Sequence, residues 1–593
     1  MLEPLLERAW GHAHALFDRT RRTGWTDLLF LAGVAGLLVG LHHVAAEWTG
    51  QLRPVVAIDL SPWALPRYAV FSLTRGLTAY ALSLMFTLAY GYWAAHSRAA
   101  ERILLPLLDI LQSIPVLGFM PGLVLAFVAV FPATNVGLEL AAVVMMFTGQ
   151  VWNMTFSFYH SLRSIPQDLH EVSRVYGDDW WARFRRLELP FSTMGLVWNS
   201  MMSMAGGWFF LMINEAFVLG NRDFRLPGIG SYMSVAVARG DTAAMLWAVL
   251  AMVVMIVALD QVLWRPVVVW AQKFRVEESS AGDAPTSWFL ELMQGSRLLE
   301  YLRRVGRLLW TRVARRREGA HARETHMSAA RAPTPAAAAG TSPAWAGALS
   351  TALLVALLAV LAWGGWNLFQ LLHKVALATW GGLLGQAALT LARVLASTLI
   401  GTLWALPAGL AIGLSPKLSR WMQPVTQVAA SFPAPMLFPI VIGLLHAAGW
   451  TLGWGSIVLM LLGTQWYILF NVIAGAMAIP ADLREAARSY RLGVWARMRL
   501  LYLPAVFPML VTGWVTAAGG AWNASIVSEY VSYKGRVIDT PGIGAAISRA
   551  AERGDFPALA AGVLMLAALV VLFNRTVWRQ LYALAEERFS LSR

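Results

Sequence analysis

The chain has 593 residues, of which 58% are hydrophobic and only 13% are charged, and it contains no cysteine. Since soluble domains carry about a quarter charged residues, this composition favours an integral membrane protein, and the lack of cysteine excludes disulfides, thiolate metal sites and thiol nucleophiles. The formal net charge of +14 would suit nucleic acid in a soluble protein, but membrane proteins collect basic residues in cytoplasmic loops, so we expect lipid contact and no nucleic acid.

Twelve stretches of the chain are apolar enough to cross a bilayer as helices, which takes about 20 residues each. They lie near 27–45, 69–95, 104–131, 137–160, 191–218 and 243–268, and near 346–370, 382–414, 421–446, 453–477, 505–528 and 557–578. The sequence therefore predicts an all-α integral membrane fold with about 12 transmembrane helices. Its predicted divisions are an N-terminal segment at 1–26, a first repeat at 27–270, a linker at 271–345, a second repeat at 346–580 and a tail at 581–593.

The charges of the connecting loops predict the orientation of these helices. The loops at 96–103, 161–190, 415–420 and 478–504 are basic, whereas those at 132–136 and 447–452 carry no charge. Basic loops face the cytoplasm, so we expect both termini on that side. The first 26 residues show no signal-peptide pattern, which is consistent with a retained cytoplasmic N-terminus.

The predicted linker contains a stretch at 287–311 in which apolar residues alternate with arginines at helical spacing. This pattern is typical of an amphipathic helix that lies on a membrane surface or packs on a partner protein, and the sequence favours neither alternative. From 326 to 344 the chain is rich in Ala, Pro, Gly, Ser and Thr, which predicts a flexible connection.

An internal repeat relates the two halves of the chain. Pro227–Gly230 and Pro541–Gly544 both read PGIG and lie 314 residues apart, as do Glu215 and Glu529. Farther upstream the separation is 318 residues. Both copies contain an even number of predicted helices, so we expect parallel repeats that enclose a path at their interface.

Two corresponding cytoplasmic segments carry the most informative pattern. They are Glu171–Pro190, which reads EVSRVYGDDWWARFRRLELP, and Glu485–Pro504, which reads EAARSYRLGVWARMRLLYLP. Each predicts a short helix, a break, and a basic amphipathic helix that ends at the proline opening the next span. In the first copy Trp181 belongs to the apolar face and Arg183 lies off it, so the segment is suited to insertion into a groove on another protein.

These segments resemble the EAA loop of ABC importer permeases, in which E-A-A is followed after three residues by Gly and the Glu is followed nineteen residues later by Pro. Both copies keep the Glu and the Pro at this spacing. The first copy keeps Gly177 but has Val and Ser after its Glu. The second keeps Ala486 and Ala487 but has Arg491 at the glycine position and Gly493 two residues later, which predicts a shifted or weaker break.

The PGIG segments, together with Glu215 and Glu529, resemble the subgroup of these permeases that imports nitrate, sulfonates, taurine and similar small anions, including duplicated single-chain members. The resemblance covers both membrane halves but not the linker. It implies a type I ABC importer fold and a translocation path for a small organic or inorganic anion. It also implies a location in the cytoplasmic (inner) membrane of a bacterium or an archaeon.

The resemblance also implies the partners of the chain. In the family the EAA loop forms the coupling helix that docks into the nucleotide-binding subunit, so we expect two copies of an ATPase and an extracytoplasmic solute-binding protein. No lysine of this chain follows a glycine, which excludes a P-loop. We therefore expect the chain not to be an enzyme, to hold no cofactor, and to leave ATP and Mg²⁺ to the partner ATPase.

The candidate functional residues form two sets. Those that the resemblance assigns to ATPase coupling are Glu171, Gly177, Trp181, Arg183 and Pro190 in the first copy and Glu485, Ala486, Ala487, Gly493, Trp495, Arg497 and Pro504 in the second. For Glu171 and Glu485 the expected role is contact with the ATPase or a cap on the coupling helix. The candidates for the path or its gate are Arg75, Glu215, Gly228, Gly230, Arg393, Glu529, Gly542 and Gly544.

The roles of the path candidates stay open at this stage. An acid at membrane depth is by default a functional residue. Glu215 and Glu529 are expected either to contact the solute or to close a gate by a hydrogen bond to the PGIG loop, and repulsion of an anion favours the gate. Arg75 and Arg393 are expected to anchor helices at the membrane interface or to attract an anion, with the anchor favoured. A secondary transporter with twelve helices in two parallel repeats is the alternative function.

Overall fold

The long apolar segments fold as helices because a helix satisfies its backbone N–H and C=O groups within itself, as a bilayer requires. The computed structural model describes residues 25–53, 55–219, 222–274, 287–294, 304, 344–533 and 536–589. The predicted all-α membrane fold is confirmed, and the two halves repeat the same order of elements.

The first half contains ten helices and one hairpin of two antiparallel strands in its described residues. They are α1 (Trp25–Thr49), α2 (Leu65–His96), α3 (Arg98–Ser113), α4 (Val116–Val130), α5 (Val136–Arg163), α6 (Gln167–Val175), α7 (Trp180–Arg183), α8 (Leu189–Asn214), β1 (Ala216–Leu219), β2 (Arg222–Arg225), α9 (Ile229–Arg239) and α10 (Thr242–Leu259). Two short helices, α11 (Arg265–Ala271) and α12 (Trp288–Gln294), follow before the second half.

The second half repeats this order from α13 onward. Its elements are α13 (Ala344–Leu372), α14 (Leu377–Leu414), α15 (Pro416–Ser431), α16 (Phe438–Ala447), α17 (Leu452–Met477), α18 (Ala481–Ser489), α19 (Val494–Arg497), α20 (Leu503–Ser528), β3 (Tyr530–Tyr533), β4 (Arg536–Asp539), α21 (Ile543–Arg553), α22 (Phe556–Phe573) and α23 (Arg579–Phe589). One π-helical turn precedes α8, at Phe184–Glu188, and another precedes α20, at Met498–Tyr502.

The predicted third span of each half is not one continuous helix. Ten described helices are long and apolar enough to cross a membrane, and α3 and α4, which meet at 98°, would make eleven if they form one span. The chain turns extended at Ile114, before Pro115, and again at Phe432, before Pro433. A residue that precedes proline is disfavoured in the helical conformation, so the continuous helices expected at 104–131 and 421–446 are wrong.

The tripeptide Arg-Gly-Asp that recurs in both halves has a structural explanation. Gly240 and Gly554 end α9 and α21 with φ of 69° and 68°, in the left-handed region that glycine adopts most readily. The side chain of the next residue, Asp241 or Asp555, accepts a hydrogen bond from a backbone N–H in the first turn of the following helix. The tripeptide is therefore a helix stop followed by a helix start.

The contacts of the chain divide the described residues into two units. The larger unit holds the described residues within 44–259 and 360–589, together with Phe274, and its core includes Phe158 in the first half and Val472 in the second. The smaller unit includes 25–43, 260–273, 287–294 and 344–359. There the indole of Trp288 donates to the Gln261 side chain at 2.8 Å. Most of the amphipathic stretch predicted at 287–311 lies outside the described residues.

Candidate functional site

A buried cluster of charged side chains joins three elements of the first half. Ser72 and Arg75 lie three residues apart on α2 and therefore share one face of the helix. Glu139 lies in the first turn of α5, and Glu215 follows the last residue of α8 directly. All four side chains are buried, so this first cluster ties α2, α5 and α8 together.

Arg75 holds both carboxylates of the first cluster. Its Nε and Nη2 donate to the two oxygens of Glu139 at 2.5 Å and 2.7 Å. Its Nη1 donates to Glu215 Oε1 at 2.7 Å and to the carbonyl oxygen of Pro227 at 2.8 Å. The guanidinium of Arg75 is 0% exposed, so removal of this one cation would leave two carboxylates buried without a counter-charge.

Glu215 also caps the N-terminus of α9. Its Oε2 accepts from Gly230 N at 2.6 Å, while Ile229 N donates to Ser72 Oγ at 3.0 Å. The first N–H groups of a helix have no partner within the helix and carry a partial positive charge, so a carboxylate is favoured here. A Cβ at Gly228 would overlap the carboxyl group of Glu215, which explains why the PGIG sequence requires glycine at this position.

The second half contains the corresponding cluster. Arg393 Nη1 donates to Glu529 Oε1 at 2.7 Å and to the carbonyl oxygen of Pro541 at 2.8 Å. Thr390 Oγ1, in the place of Ser72, donates to the same carboxylate oxygen at 2.8 Å. Gly544 N donates to Glu529 Oε2 at 3.0 Å. This second cluster therefore caps α21 as the first cluster caps α9.

The second cluster lacks the other carboxylate. Gly453 of α17 stands 314 residues after Glu139, and Thr540 stands 314 residues after Leu226. Arg393 Nη2 donates to Thr540 Oγ1 at 3.1 Å instead of to an acid. Among the described residues the second cluster therefore pairs one arginine with one carboxylate, and the side chain of Arg393 is 12% exposed.

Arg75 and Arg393 are both held by carboxylates and backbone carbonyls. The interface-anchor role favoured for Arg75 is wrong because its side chain is fully buried, whereas for the partly exposed Arg393 it stays a prediction. Sequence reasoning also missed Glu139, Ser72 and Thr390. Glu139 is an acid within a predicted apolar span, which is itself a signal. Ser72 and Thr390 share the separation of 318 residues that pairs Arg75 with Arg393.

A cavity of about 280 Å³ lies between the two halves. Asn523 of α20, at its wall, joins the halves because its Oδ1 accepts from Val116 N of α4 at 2.9 Å. Residues from both halves contribute aromatic rings to the wall, including Trp152, Phe209, Trp466 and Tyr467. The described wall contains none of Arg75, Glu215, Arg393, Glu529 or the PGIG glycines, so the structure separates those candidates from the cavity.

The first EAA-like segment ends its leading helix as the glycine predicts. Gly177 has φ of 67° and donates to Arg174 O at 3.0 Å, while Asp178 N donates to Ser173 O at 3.1 Å. This is the Schellman pattern of a helix end. Asp179 Oδ1 then accepts from Ala182 N at 2.7 Å and starts α7.

The second segment breaks at the same place, and the predicted shift to Gly493 is wrong. Arg491 itself takes the left-handed conformation, with φ of 50°, and Leu492 N donates to Ala487 O at 3.1 Å. Gly493 is extended, with φ of −64° and ψ of 166°. The hydrogen bonds of the helix end therefore impose the turn on a residue that disfavours it.

Both segments present large apolar side chains to their surroundings. Tyr176 and Tyr490, at the ends of α6 and α18, are each 81% exposed, and Trp495 is 86% exposed. Glu171 and Glu485 are also exposed and lie inside these helices rather than at a cap position, so the cap alternative is wrong. Exposed apolar patches of this kind mark interaction sites.

The two segments differ in how they attach to the membrane helices. In the first, the buried Glu188 carboxylate contacts Arg183 Nε at 3.2 Å and His96 Nε2 at 3.0 Å. In the second, Tyr502 stands 314 residues after Glu188, so this position carries no carboxylate. Burial lowers the pKa of His170, which lies on α6, the Glu188 carboxylate opposes this shift, and the Arg183 guanidinium adds to it.

The remaining coupling candidates divide between exposed and packed positions. Trp181 is half-exposed, like Trp180 beside it, whereas Phe184 and Leu187 pack against the core that contains Phe158. Pro190 and Pro504 lie at the second position of α8 and α20, and Ala487 is buried whereas Ala486 is exposed. Nowhere among the described residues do three His, Asp or Glu side chains come together as a metal site.

Comparison with known proteins gives one family and several relatives. The profile of the binding-protein-dependent transport system inner membrane component matches the chain twice, at residues 87–263 and 397–588. The glycine betaine transport system permease protein of Bacillus subtilis is 23% identical over 263 residues, which are 43% of this chain and 84% of that protein.

Two further relatives are matched over shorter lengths. The nitrate import permease protein of Leptolyngbya laminosa is 27% identical over 151 residues, or 26% of this chain and 53% of that protein. The taurine transport system permease protein of Escherichia coli is 22% identical over 187 residues, or 32% of this chain and 64% of that protein. Each match spans less than half of the chain, as expected when two permease units are joined in one polypeptide.

Proposed function

The chain belongs to the family of binding-protein-dependent transport system inner membrane components, and we propose that its two halves together form the complete translocation path of one ABC importer. It is a multi-pass transport permease of the inner membrane and not an enzyme. The observation that supports a path at the junction of the halves is the cavity, whose wall takes residues from both. Because the chain belongs to this family, the alternative function of a secondary transporter is rejected.

The two clusters suit the role of gates that hold the helix ends together in one state. Each carboxylate accepts hydrogen bonds from an arginine and from the first turn of a short helix. Opening one cluster would break these contacts together, which is the behaviour that a gate with two discrete arrangements requires. Because Arg75 and Arg393 are occupied by carboxylates, we assign them to the gates and not to solute attraction.

A permease of this family works with an ATPase and a solute-binding protein. We propose that two copies of the ATPase bind, one at the α6–α7 segment and one at the α18–α19 segment. Both segments then face the cytoplasm, as do both chain termini. ATP and Mg²⁺ belong to the ATPase, and this chain contributes exposed apolar and charged side chains to the contact.

The solute is proposed to be small and to carry an acidic group. The relatives include permeases named for nitrate, bicarbonate and taurine, and another is named for glycine betaine. The first two names denote free anions, whereas taurine and glycine betaine combine an acidic group with a cationic one. A cavity of about 280 Å³ suits a solute of this size.

The proposal is tested by ATP hydrolysis and by assembly. The purified chain is expected to hydrolyse no ATP alone and to gain activity only with its partner ATPase, so hydrolysis by the lone chain would contradict the assignment. The double variant Glu171→Lys and Glu485→Lys is expected to lose the ATPase on co-purification, because it reverses charge on both exposed segments. The matched control is Glu291→Lys on α12, outside both segments.

A further inference from the structure

The connection between α1 and α2 runs along the elements that form the first cluster. We call its described residues 50–53 and 55–61 the strap. Near the middle of the strap, Val55 forms a parallel β-bridge with Arg225 of β2. In the second half only residues 373–376 connect α13 to α14, so the strap belongs to the first half alone.

One end of the strap is held by the turn that leads into α5. Asn135 N donates to Gly50 O at 3.2 Å. The buried side chain of Asn135 adds a second bond, because its Oδ1 accepts from Arg53 N at 2.8 Å. Glu139 of the first cluster stands about one helical turn later on the same element. This end of the strap is therefore attached to the helix that carries one of the two carboxylates.

The other end of the strap is held by the helix that the first cluster caps. Tyr232 of α9 is fully buried and donates its hydroxyl to Leu60 O at 2.7 Å. The hydroxyl of Tyr68, on α2, accepts from Asp59 N at 3.0 Å. The strap is therefore bonded to α2, α5 and α9, and each of these helices also makes a bond of the first cluster.

The attachment on α9 is not repeated in the second half. Ala546 stands 314 residues after Tyr232 and has no hydroxyl group to donate. The half that contains the strap is also the half whose arginine, Arg75, is fully buried, whereas Arg393 is partly exposed. The strap is therefore a second difference between the halves, and it lies outside the clusters themselves.

We propose that the strap keeps the first cluster closed, and that Asn135 and Tyr232 are the positioning residues that attach it. Opening the first cluster has to move α2, α5 and α9 relative to one another, and the strap resists this movement because it is bonded to all three. If the strap moves away, the buried polar groups of Asn135 and Tyr232 lose their partners, which is costly. The inference rests on the proposed function, since it takes the cluster to be a gate.

Hydrogen exchange of the full-length chain in lipid nanodiscs tests the strap. Tyr232→Phe and Asn135→Ala each remove one side-chain attachment, at opposite ends of the strap. Each variant is expected to accelerate exchange in the first turn of α9 about fivefold, which corresponds to the loss of one hydrogen bond, while α21 exchanges as in the wild type. The matched control is Tyr90→Phe, because Tyr90 also donates its hydroxyl to a backbone carbonyl at 2.7 Å but lies toward the other end of α2.

ATP hydrolysis by the complex with the partner ATPase, measured without a solute-binding protein, separates a restraint on the gate from a merely structural role. A restraint predicts that both variants hydrolyse ATP up to about fivefold faster than the wild type, whereas a loss of stability alone would lower the rate. Exchange in α9 equal to that of the control, equal acceleration in α9 and α21, or a hydrolysis rate that does not rise would each overturn the inference. If the ATPase does not associate with the wild-type chain, the proposed function fails, and the exchange measurement still decides whether the strap holds α9.

Discussion

The two clusters contain an arginine and a glutamate in the same register, yet they differ in charge and in the exposure of the arginine. Arg75 balances two carboxylates and is fully buried, whereas Arg393 balances one and is 12% exposed. The difference arises at two positions, where Glu139 and Leu226 are replaced by Gly453 and Thr540. Duplication has therefore kept the hydrogen bonds to the PGIG helix while the surroundings of the arginine diverged.

This comparison implies that the first cluster is the more firmly closed of the two. Opening it exposes three charged groups that are held by one another, by Ser72 and by backbone, whereas the arginine of the second cluster is already partly exposed. We therefore expect the second half to move first when the path opens. The following variants test this difference, from the largest expected effect to the smallest.

Removal of the arginine is expected to give the largest difference in stability between the two clusters. Arg75→Gln is expected to destabilise the protein by about 3–5 kcal/mol, because it leaves two carboxylates buried without a cation. Arg393→Gln is expected to cost about 1–3 kcal/mol, since Glu529 keeps its bonds from Thr390 and Gly544. Thermal unfolding of both variants in nanodiscs measures the difference, and equal losses would contradict it.

Insertion of a methyl group at the PGIG helix tests the close approach of the carboxylates. Gly228→Ala and Gly542→Ala are each expected to cost about 1–3 kcal/mol, because the new Cβ overlaps a glutamate carboxyl group. The loss of unfolding free energy is expected to be larger for Gly228→Ala, because Arg75 is fully buried and has no room to shift with Glu215, whereas Arg393 is partly exposed. Gly385→Ala on α14, whose Cβ would meet no atom within 4 Å, is the control, and unfolding temperatures that match it would contradict the overlap.

Substitutions in the α6–α7 and α18–α19 segments are expected to have the smallest effect on stability. Arg491→Gly is expected to stabilise the second segment by about 1 kcal/mol, because glycine adopts the left-handed conformation without a steric penalty. Gly177→Ala is expected to destabilise the first segment by a similar amount. Hydrogen exchange of α18 and α6 measures both changes. If Arg491→Gly accelerates exchange in α18, the side chain of Arg491 makes a stabilising contact, and the expected gain in stability is contradicted.

Much of the architecture could be predicted from the sequence, because apolar length and repeated motifs are local signals. The breaks at Pro115 and Pro433 were missed because apolar residues flank both prolines and hid the interruption within a long hydrophobic stretch. The β-hairpins after α8 and α20 were missed because strands of four residues give too little alternation to recognise.

The clusters could be predicted only in part. Glu215 and the PGIG glycines were found because both halves repeat them, and the structure places a hydrogen bond between them. Glu139 has no counterpart in the second half, so a search by repeats passed over it. The left-handed conformation of Arg491 could not be predicted either, because the hydrogen bonds of the helix end, and not the identity of the residue, determine it.

The central claim is that one chain supplies both halves of a permease and binds an ATPase at each. Native mass spectrometry of the intact complex measures this directly. The account predicts one copy of this chain with two copies of the ATPase, and one ATPase fewer when either Glu171→Lys or Glu485→Lys is introduced alone. A complex of two copies of this chain, or a wild-type complex with a single ATPase, would contradict it.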